Sequence, residues 1–212
     1  MACRASIRFG SLILPLLVAV ACGGLAYRHM NDPERDAWQQ PKAVIQALRI
    51  PPGAHIADLG AGGGYFTFRL AEAVGPDGQV YAVDTEEASL GFIEKEALQR
   101  GGMPRQVKLI LATPTDPRLP FRSLDLVFMC NTYHHLPNRV AYLTSLAQYL
   151  QPNGRLAIID FKEGSWLGSL FGHATSKESV RQEVEAAGYR LIEDLDFLPK
   201  QHFLIFSPNP RE

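Results

Sequence analysis

From Ile50 onward, short apolar runs alternate with stretches whose hydrophobic positions recur every three or four residues. The runs 55–59, 79–83, 106–111, 124–130 and 154–160 predict strands, and the stretches 64–74, 87–100 and 137–149 predict helices between them. Strands that alternate with helices in this way predict a parallel sheet covered on both faces. Beyond Phe161, Ser176-Lys177-Glu178-Ser179 opens a helix over 176–187 with an N-cap serine, and Gly188 closes it. Two further strands, 189–197 and 202–206, flank Leu198-Pro199-Lys200-Gln201 and can pair as an antiparallel hairpin. The expected class is α/β, doubly wound.

Ahead of this core lie two segments of different character. Arg4 and Arg8 precede an apolar stretch from Phe9 to Tyr27, interrupted by Ser11 and Pro15 and ending in Ala21-Cys22-Gly23-Gly24. At roughly 19 residues it approaches the roughly 20 of a transmembrane helix. It reads either as a membrane anchor or as a lipoprotein signal cleaved before Cys22, with the chain membrane-associated in both cases. The charge asymmetry before the stretch places the remainder of the chain outside the cytoplasm, while Arg28 and His29 weaken that rule and leave the side open. The second segment, Asn31 to Leu48, starts with Asp32-Pro33-Glu34, carries Trp38, Val44, Ile45 and Leu48 at helical spacing, and is interrupted at Pro41. The organisation is therefore 1–28 signal or anchor, 29–50 helical pre-core segment, and 51–207 core domain.

Chemistry concentrates at the predicted strand ends, where an open parallel sheet holds its ligands. Ile56-Ala57-Asp58-Leu59-Gly60-Ala61-Gly62-Gly63-Gly64-Tyr65 joins the first strand to a glycine turn with a carboxylate two residues ahead of it. A dinucleotide fits poorly: Tyr65 stands where G-x-G-x-x-G needs its last glycine, and Asp58 would face an anionic pyrophosphate. A phosphate-free ligand bearing an ammonium group fits better. Asp84 ends the second strand 24 residues beyond Gly60, where an acid can accept hydrogen bonds from both hydroxyls of a ribose.

These motifs, with Leu124-Asp125-Leu126-Val127-Phe128-Met129-Cys130-Asn131 and Leu150-Gln151-Pro152-Asn153-Gly154-Arg155-Leu156 in the same order, resemble the class I S-adenosylmethionine-dependent methyltransferases. The family pattern is an acid before G-x-G-x-G, an acid at the second strand tip, and an L-x-P-G-G-x-L turn. Asn153 replaces the first glycine of that turn, and asparagine tolerates the left-handed conformation. The resemblance implies a seven-stranded, mostly parallel, Rossmann-like sheet with S-adenosyl-L-methionine as cofactor. Asp58, Gly60, Ala61, Gly62, Gly64, Asp84 and Thr85 would bind it. Many relatives place an adenine-binding acid after the third strand. Here Thr113 holds that place and Asp116 follows three residues later, so both are candidates. Arg35 and Trp38 of the pre-core segment are candidates for a cover over the cofactor.

Asn131-Thr132-Tyr133-His134-His135-Leu136-Pro137 follows the fourth strand and resembles the H-H-L/V-x-D segment of small-molecule methyltransferases related to quinone-biosynthesis enzymes. Asn131 would bond the cofactor. His134 and His135 would hold or deprotonate the methyl acceptor, because imidazole titrates near neutral pH. Adjacent histidines point apart and no cysteine or carboxylate cluster completes a metal site, so no metal is expected. The loop Gly164 to His173, with its aromatic and leucine content, is a natural cover for an apolar acceptor.

Composition narrows the partners. The net charge is −1 over 212 residues, without a basic run, which argues against a nucleic-acid substrate. Cys3, Cys22 and Cys130 are too scattered for a disulfide framework or metal site, and Cys130 reads as a small core residue. The expectation is a methyltransferase acting on a small-molecule acceptor, an apolar one among the candidates; the competing reading is a non-catalytic, membrane-tethered module that keeps the cofactor-binding fold.

Overall fold

The computed structural model describes residues 31, 34–163 and 175–210. The proposed signal or anchor over 1–28 and the loop over 164–173 lie outside the described residues. Among the described residues, no helix is long and apolar enough to cross a membrane.

The core is a seven-stranded sheet of β1 (His55–Leu59), β2 (Gln79–Asp84), β3 (Val107–Leu111), β4 (Leu124–Cys130), β5 (Leu150–Phe161), β6 (Tyr189–Leu195) and β7 (Gln201–Pro208). Its spatial order is β3-β2-β1-β4-β5-β7-β6. The first five strands run parallel, and β7 lies antiparallel between β5 and β6. The order reverses between β1 and β4, which puts the ligand crevice of this sheet type beside the C-terminal ends of those strands. This matches the doubly wound sheet with a terminal antiparallel hairpin expected from the alternation of strands and helices.

The burial of each strand follows from its place. Ile56 to Leu59 and Leu126 to Met129 are central and buried on both sides, so their sequences are nearly unbroken apolar runs. At the edge, β6 alternates exposed and covered residues, as an antiparallel strand with one wet face does. One face of the sheet packs Ile56, Ala82, Phe128, Ile159 and Phe203 against helices that follow the short α1 (Arg35–Gln39): α2 (Pro41–Leu48) and α3 (Thr67–Val74) supply Val44, Leu48, Leu70 and Val74, and α4 (Glu87–Gln99) supplies Leu90 and Ile93. The opposite face packs Val127, Met129, Ile158 and Leu204 against Leu143 and Leu146 of α5 (Arg139–Leu146) and Val180 and Val184 of α6 (Lys177–Ala186).

Several boundaries differ from the sequence expectation. The pre-core segment divides into α1 (Arg35–Gln39) and α2, with Gln40 left-handed at φ 45° between them and Pro41 opening α2. Pro41 therefore starts a helix as well as interrupting one. The helix expected from residue 64 begins only at Thr67, because Gly64 at φ +82° keeps the chain in turns. The helix expected over 137–149 is confined to Arg139–Leu146, after left-handed Asn138. The N-cap at Ser176 forms as expected, its hydroxyl accepting the Ser179 N–H at 3.0 Å.

The Leu150–Leu156 turn needs a correction. Asn153 is not left-handed; residues 150–161 form one strand, and a register shift between Leu124 and Leu126 absorbs the extra residues. Gly154 matters for close approach, since a Cβ there would lie 2.8 Å from the Leu124 carbonyl oxygen.

Candidate active site

The glycine turn is fixed by backbone geometry before any side chain acts. The Gly60 and Ala61 N–H groups both donate to the Val83 carbonyl, at 2.8 and 3.0 Å, tying the turn to the end of β2. Gly60 and Gly62 hold φ of +77° and +53°, a region that costs side-chain-bearing residues strain. A Cβ at Gly60 would also sit 2.2 Å from Thr132 Oγ1, so the backbone here is open only because the side chain is missing. Gly64 sits deeper, against Phe68 and Ile93.

Two carboxylates flank this turn in different states. Asp58 is 3% exposed and accepts the Thr67 hydroxyl at 2.6 Å. Burial pushes its carboxyl up to about 6; the Thr67 hydrogen bond opposes this, the charge of Asp84 adds to it, and Arg35 opposes it again. Asp84, half-buried at the tip of β2, accepts the Gly62 N–H at 2.9 Å and the Glu86 N–H at 3.0 Å. The strand-end acid therefore holds the turn itself, one bond on each oxygen, and each oxygen keeps a second lone pair. Thr85 is exposed beside it.

At the end of β4, Asn131 is left-handed at φ 57°, and its side chain is engaged from below. Gln201 Nε2 donates to Asn131 Oδ1 at 2.5 Å, and Gln39 Nε2 donates to Gln201 Oε1 at 2.5 Å. Both glutamines are fully buried, so this amide chain joins α1, β7 and the β4 tip where water cannot compete. Cys130 is only partly buried and faces the same network, with Gln39 Nε2 at 3.3 Å and Arg35 at 3.8 Å from its sulfur. Burial pushes its thiol up to about 12, away from thiolate chemistry.

The pre-core helix closes on the turn through Tyr65, the residue that displaced the dinucleotide glycine. Its hydroxyl donates to Asp36, and the guanidinium groups of Arg35 and Arg69 both lie over its ring, 4.1 and 4.3 Å from the centroid. Trp38 packs beside Phe161 with its ring under Lys200. Asn31 Nδ2 donates to the Gly63 carbonyl at 2.7 Å. A cavity of about 340 Å³ opens on this side, among Asn31, Asp36, Tyr65, Arg69 and α4, and shares none of its lining with the strand-tip residues.

Beyond Asn131 the chain turns through a short 3-10 helix, Tyr133–His135. His134 and His135 do not point apart as expected: their ring centroids lie 4.0 Å apart with the planes tilted at 51°, but their surroundings differ. The His134 side chain is 7% exposed and its Nδ1 lies 2.7 Å from Asp160 Oδ1, whereas His135 is exposed. Tyr133 is buried, with its hydroxyl donating to Glu183, which also holds Arg139 at 2.6 Å.

The third strand end is self-contained. Thr113 Oγ1 accepts the Asp116 N–H at 3.0 Å, and the Asp116 carboxylate accepts from the Arg118 N–H and the Tyr149 hydroxyl. Both residues close a local turn. Among the described residues, no group of His, Cys, Asp or Glu is arranged to hold a metal ion.

Sequence reasoning missed Thr67, Thr132, Gln39, Gln201 and Asp160. Asp160 had a readable signal, since it is an acid at the end of a predicted parallel strand, as Asp58 and Asp84 are. Gln39 and Gln201 carried none, because their partner is a residue far away in the chain.

A model of the methyltransferase domain matches residues 50–193. The nocamycin O-methyltransferase of Saccharothrix syringae is 33% identical over 117 residues, covering 55% of this chain and 41% of that protein. The demethylmenaquinone methyltransferase of Geobacillus stearothermophilus is 28% identical over 127 residues, covering 60% of this chain and 53% of that protein. The chain thus spans about half the length of these relatives. Among solved structures, an S-adenosylmethionine-dependent methyltransferase from Aquifex aeolicus superposes with a TM-score of 0.79 at 25% identity, covering 85% of this chain and 96% of that one.

Proposed function

The chain belongs to the methyltransferase-domain family, and from that premise we propose that it is an S-adenosylmethionine-dependent enzyme that methylates a small organic acceptor. The observation that carries this reading is the Asp84–Gly62 hydrogen bond. It fixes the glycine turn against the tip of β2, while leaving carboxylate lone pairs for the two hydroxyls of a ribose. The cradle fits a nucleoside: a Cβ at Gly60 would fill the space beside Thr132. Asp58, Gly60, Ala61, Gly62 and Gly64 form the cradle, with Asp84 and Thr85 at its ribose side and Asn131 as its floor. Thr113 and Asp116 form the rim at the third strand end.

When bound, S-adenosylmethionine would supply an electrophilic methyl carbon on a sulfonium centre, with a neutral thioether as its leaving group. The protein's contribution is alignment and exclusion of water. Asp58, which burial holds back from ionisation, gains a partner in the ammonium group of the methionine moiety. Arg35 and Tyr65 hold the pre-core helix beside the turn as its cover. His134 and His135 stand at the acceptor side. An acceptor of apolar, quinone-like character, and membrane association through residues 1–28, belong to the same proposal, supported by the similarity to a demethylmenaquinone methyltransferase and by the apolar stretch Phe9 to Tyr27 in the sequence.

Calorimetric titration of the full chain with S-adenosylhomocysteine tests the first step, with saturable binding expected. Radiolabelled S-adenosylmethionine with fractionated extract then shows which pool, lipid, small-molecule or protein, receives the methyl group. Absence of binding at millimolar ligand contradicts the assignment.

A further inference from the structure

The acids of β6 and the residue after it each hold a cation. Glu193 takes Arg49, Asp194 takes Lys177 at 2.8 Å, and Asp196 takes Lys162 at 2.9 Å. Lys200, in the turn between β6 and β7, is left over: among the described residues it has no carboxylate within ion-pairing distance. Its ammonium group lies instead over the Trp38 indole, 5.1 Å from the ring centroid. Trp38 in turn packs on Phe161, the last residue of β5, with centroids 6.0 Å apart and planes tilted at 34°. All three residues are half-buried, so two aromatic surfaces and one uncompensated cation stay within reach of a ligand.

Backbone contacts fix this cluster in place. The Lys200 carbonyl accepts the Lys162 N–H at 3.0 Å, which ties the turn to the end of β5, and Gln40 Nε2 donates to the Phe197 carbonyl at 3.2 Å, which ties it to the start of α2. The strand order then says which end of the crevice it occupies. Asp84 ends β2, Asp58 lies in β1 and Asn131 follows β4, whereas β5 and β7 come next on the side away from Asp84. The cluster therefore stands beyond the cofactor residues, and it adjoins them through the chain. Trp38 precedes Gln39 and Lys200 precedes Gln201, the two amides that lead to Asn131.

We propose that Trp38, Phe161 and Lys200 form the acceptor subsite, and that the methyl acceptor is a planar organic acid whose apolar body lies on the two rings while its carboxylate pairs with Lys200. This rests on the methyltransferase reading given above and adds an anionic handle to the apolar acceptor. A neutral planar molecule covers the rings and leaves the ammonium without an anion. An aliphatic acid pairs with the ammonium and leaves the rings uncovered. A planar acid does both, and its carboxylate gains a charge-assisted hydrogen bond beside an indole face that excludes water. Arg35 is a poorer anchor for that carboxylate, because its Nε donates to Gln39 Oε1 at 3.0 Å and its guanidinium lies over the Tyr65 ring.

Calorimetric titration of the full chain saturated with S-adenosylhomocysteine tests the subsite, with 2-naphthoate as the probe, 2-naphthylmethanol as its uncharged counterpart and octanoate as an acid without rings. Saturable binding of 2-naphthoate is expected, with both controls weaker by about tenfold or more. Lys200→Gln should weaken 2-naphthoate about tenfold and leave 2-naphthylmethanol unchanged, and Lys200→Arg should restore most of the loss. Trp38→Leu should weaken both naphthyl probes about tenfold. If that variant fails to fold, the two Lys200 variants decide. No binding of 2-naphthoate at millimolar concentration, equal binding of the three probes, or unchanged affinity in Lys200→Gln overturns the subsite. So does a Lys200→Gln loss that falls on S-adenosylhomocysteine, since the lysine would then serve the cofactor. The same titration without S-adenosylhomocysteine separates the two failures: a chain that takes 2-naphthoate through Lys200 and no S-adenosylhomocysteine counts against the methyltransferase reading and leaves the ring-and-lysine site standing.

Discussion

Asp58 and Thr67 face each other across the glycine turn, the Thr67 hydroxyl donating to Asp58 Oδ2 at 2.6 Å inside a site from which water is excluded. One hydrogen bond does not offset the burial of a carboxylate, so the acid sits near its ionisation midpoint at mildly acidic pH. That relationship makes the turn responsive to whatever charge arrives above it.

The pH dependence follows with a definite sign. Asp58 is raised from 3.8 to about 6, so it contributes stability that is complete below pH 3.8 and lost as pH climbs through 6. The loss is on the order of 2–3 kcal/mol at about 1.36 kcal/mol per unit. Denaturant titration of the ligand-free chain and of Asp58→Asn should show their stability difference moving in favour of the variant between pH 4 and 7. Cofactor affinity should run the other way, rising through pH 6 in the unaltered protein as Asp58 ionises to meet the ammonium group. Asp58→Asn should flatten that rise in calorimetry.

Asp84→Ala removes the acceptor of the Gly62 N–H and the expected ribose acceptor in one step. Cofactor affinity should weaken by about 1–3 kcal/mol. Asp84→Asn keeps an acceptor oxygen for one of these bonds and should lose less. Equal affinity for all three proteins would remove Asp84 from the binding site.

Gly60→Ala meets two obstacles, a φ of +77° and Thr132 Oγ1 at 2.2 Å from the new Cβ. A stability loss of about 1–3 kcal/mol is expected by thermal denaturation. Thr132→Ala in the same chain removes the Oγ1 and Cγ2 contacts but leaves the residue's own Cβ at 2.8 Å and the dihedral, so a double-mutant cycle should recover part of the loss. No recovery would mean that Thr132 already turns away.

Gln201→Leu leaves Gln39 Nε2 and Asn131 Oδ1 without their shared partner in a buried space. A cost of about 1–3 kcal/mol per stranded group is expected. Cofactor affinity should fall as well, because Asn131 loses the contact that orients it. A variant as stable as the parent would show that the amides repair their bonding locally.

Much of this architecture was legible because it is written in short-range pattern. The runs at 55–59 and 124–130 are apolar because central parallel strands are covered on both faces, and the acids at 58 and 84 stand out against them. Boundaries set by backbone dihedrals were not legible: nothing in the residue type of Asn138 or Asn153 says which one turns left-handed, since both tolerate it and packing decides. The site's second layer was hidden for a related reason. Thr67 is close to Asp58 in sequence, yet only the turn brings the two together, and the Gln39–Gln201 pair depends on the order in which seven strands assemble.

That amide chain has a consequence for synthesis. Its members are contributed by the helix that precedes the sheet and by the strand of the sheet that comes last in the sequence, Gln39 and Gln201 standing 162 positions apart. An emerging polypeptide can form β1, the glycine turn and β2 early, but the floor under Asn131 stays unfinished until β7 inserts beside β5. A nascent chain stopped before residue 201 therefore carries the motifs of a cofactor site without the support that gives them shape.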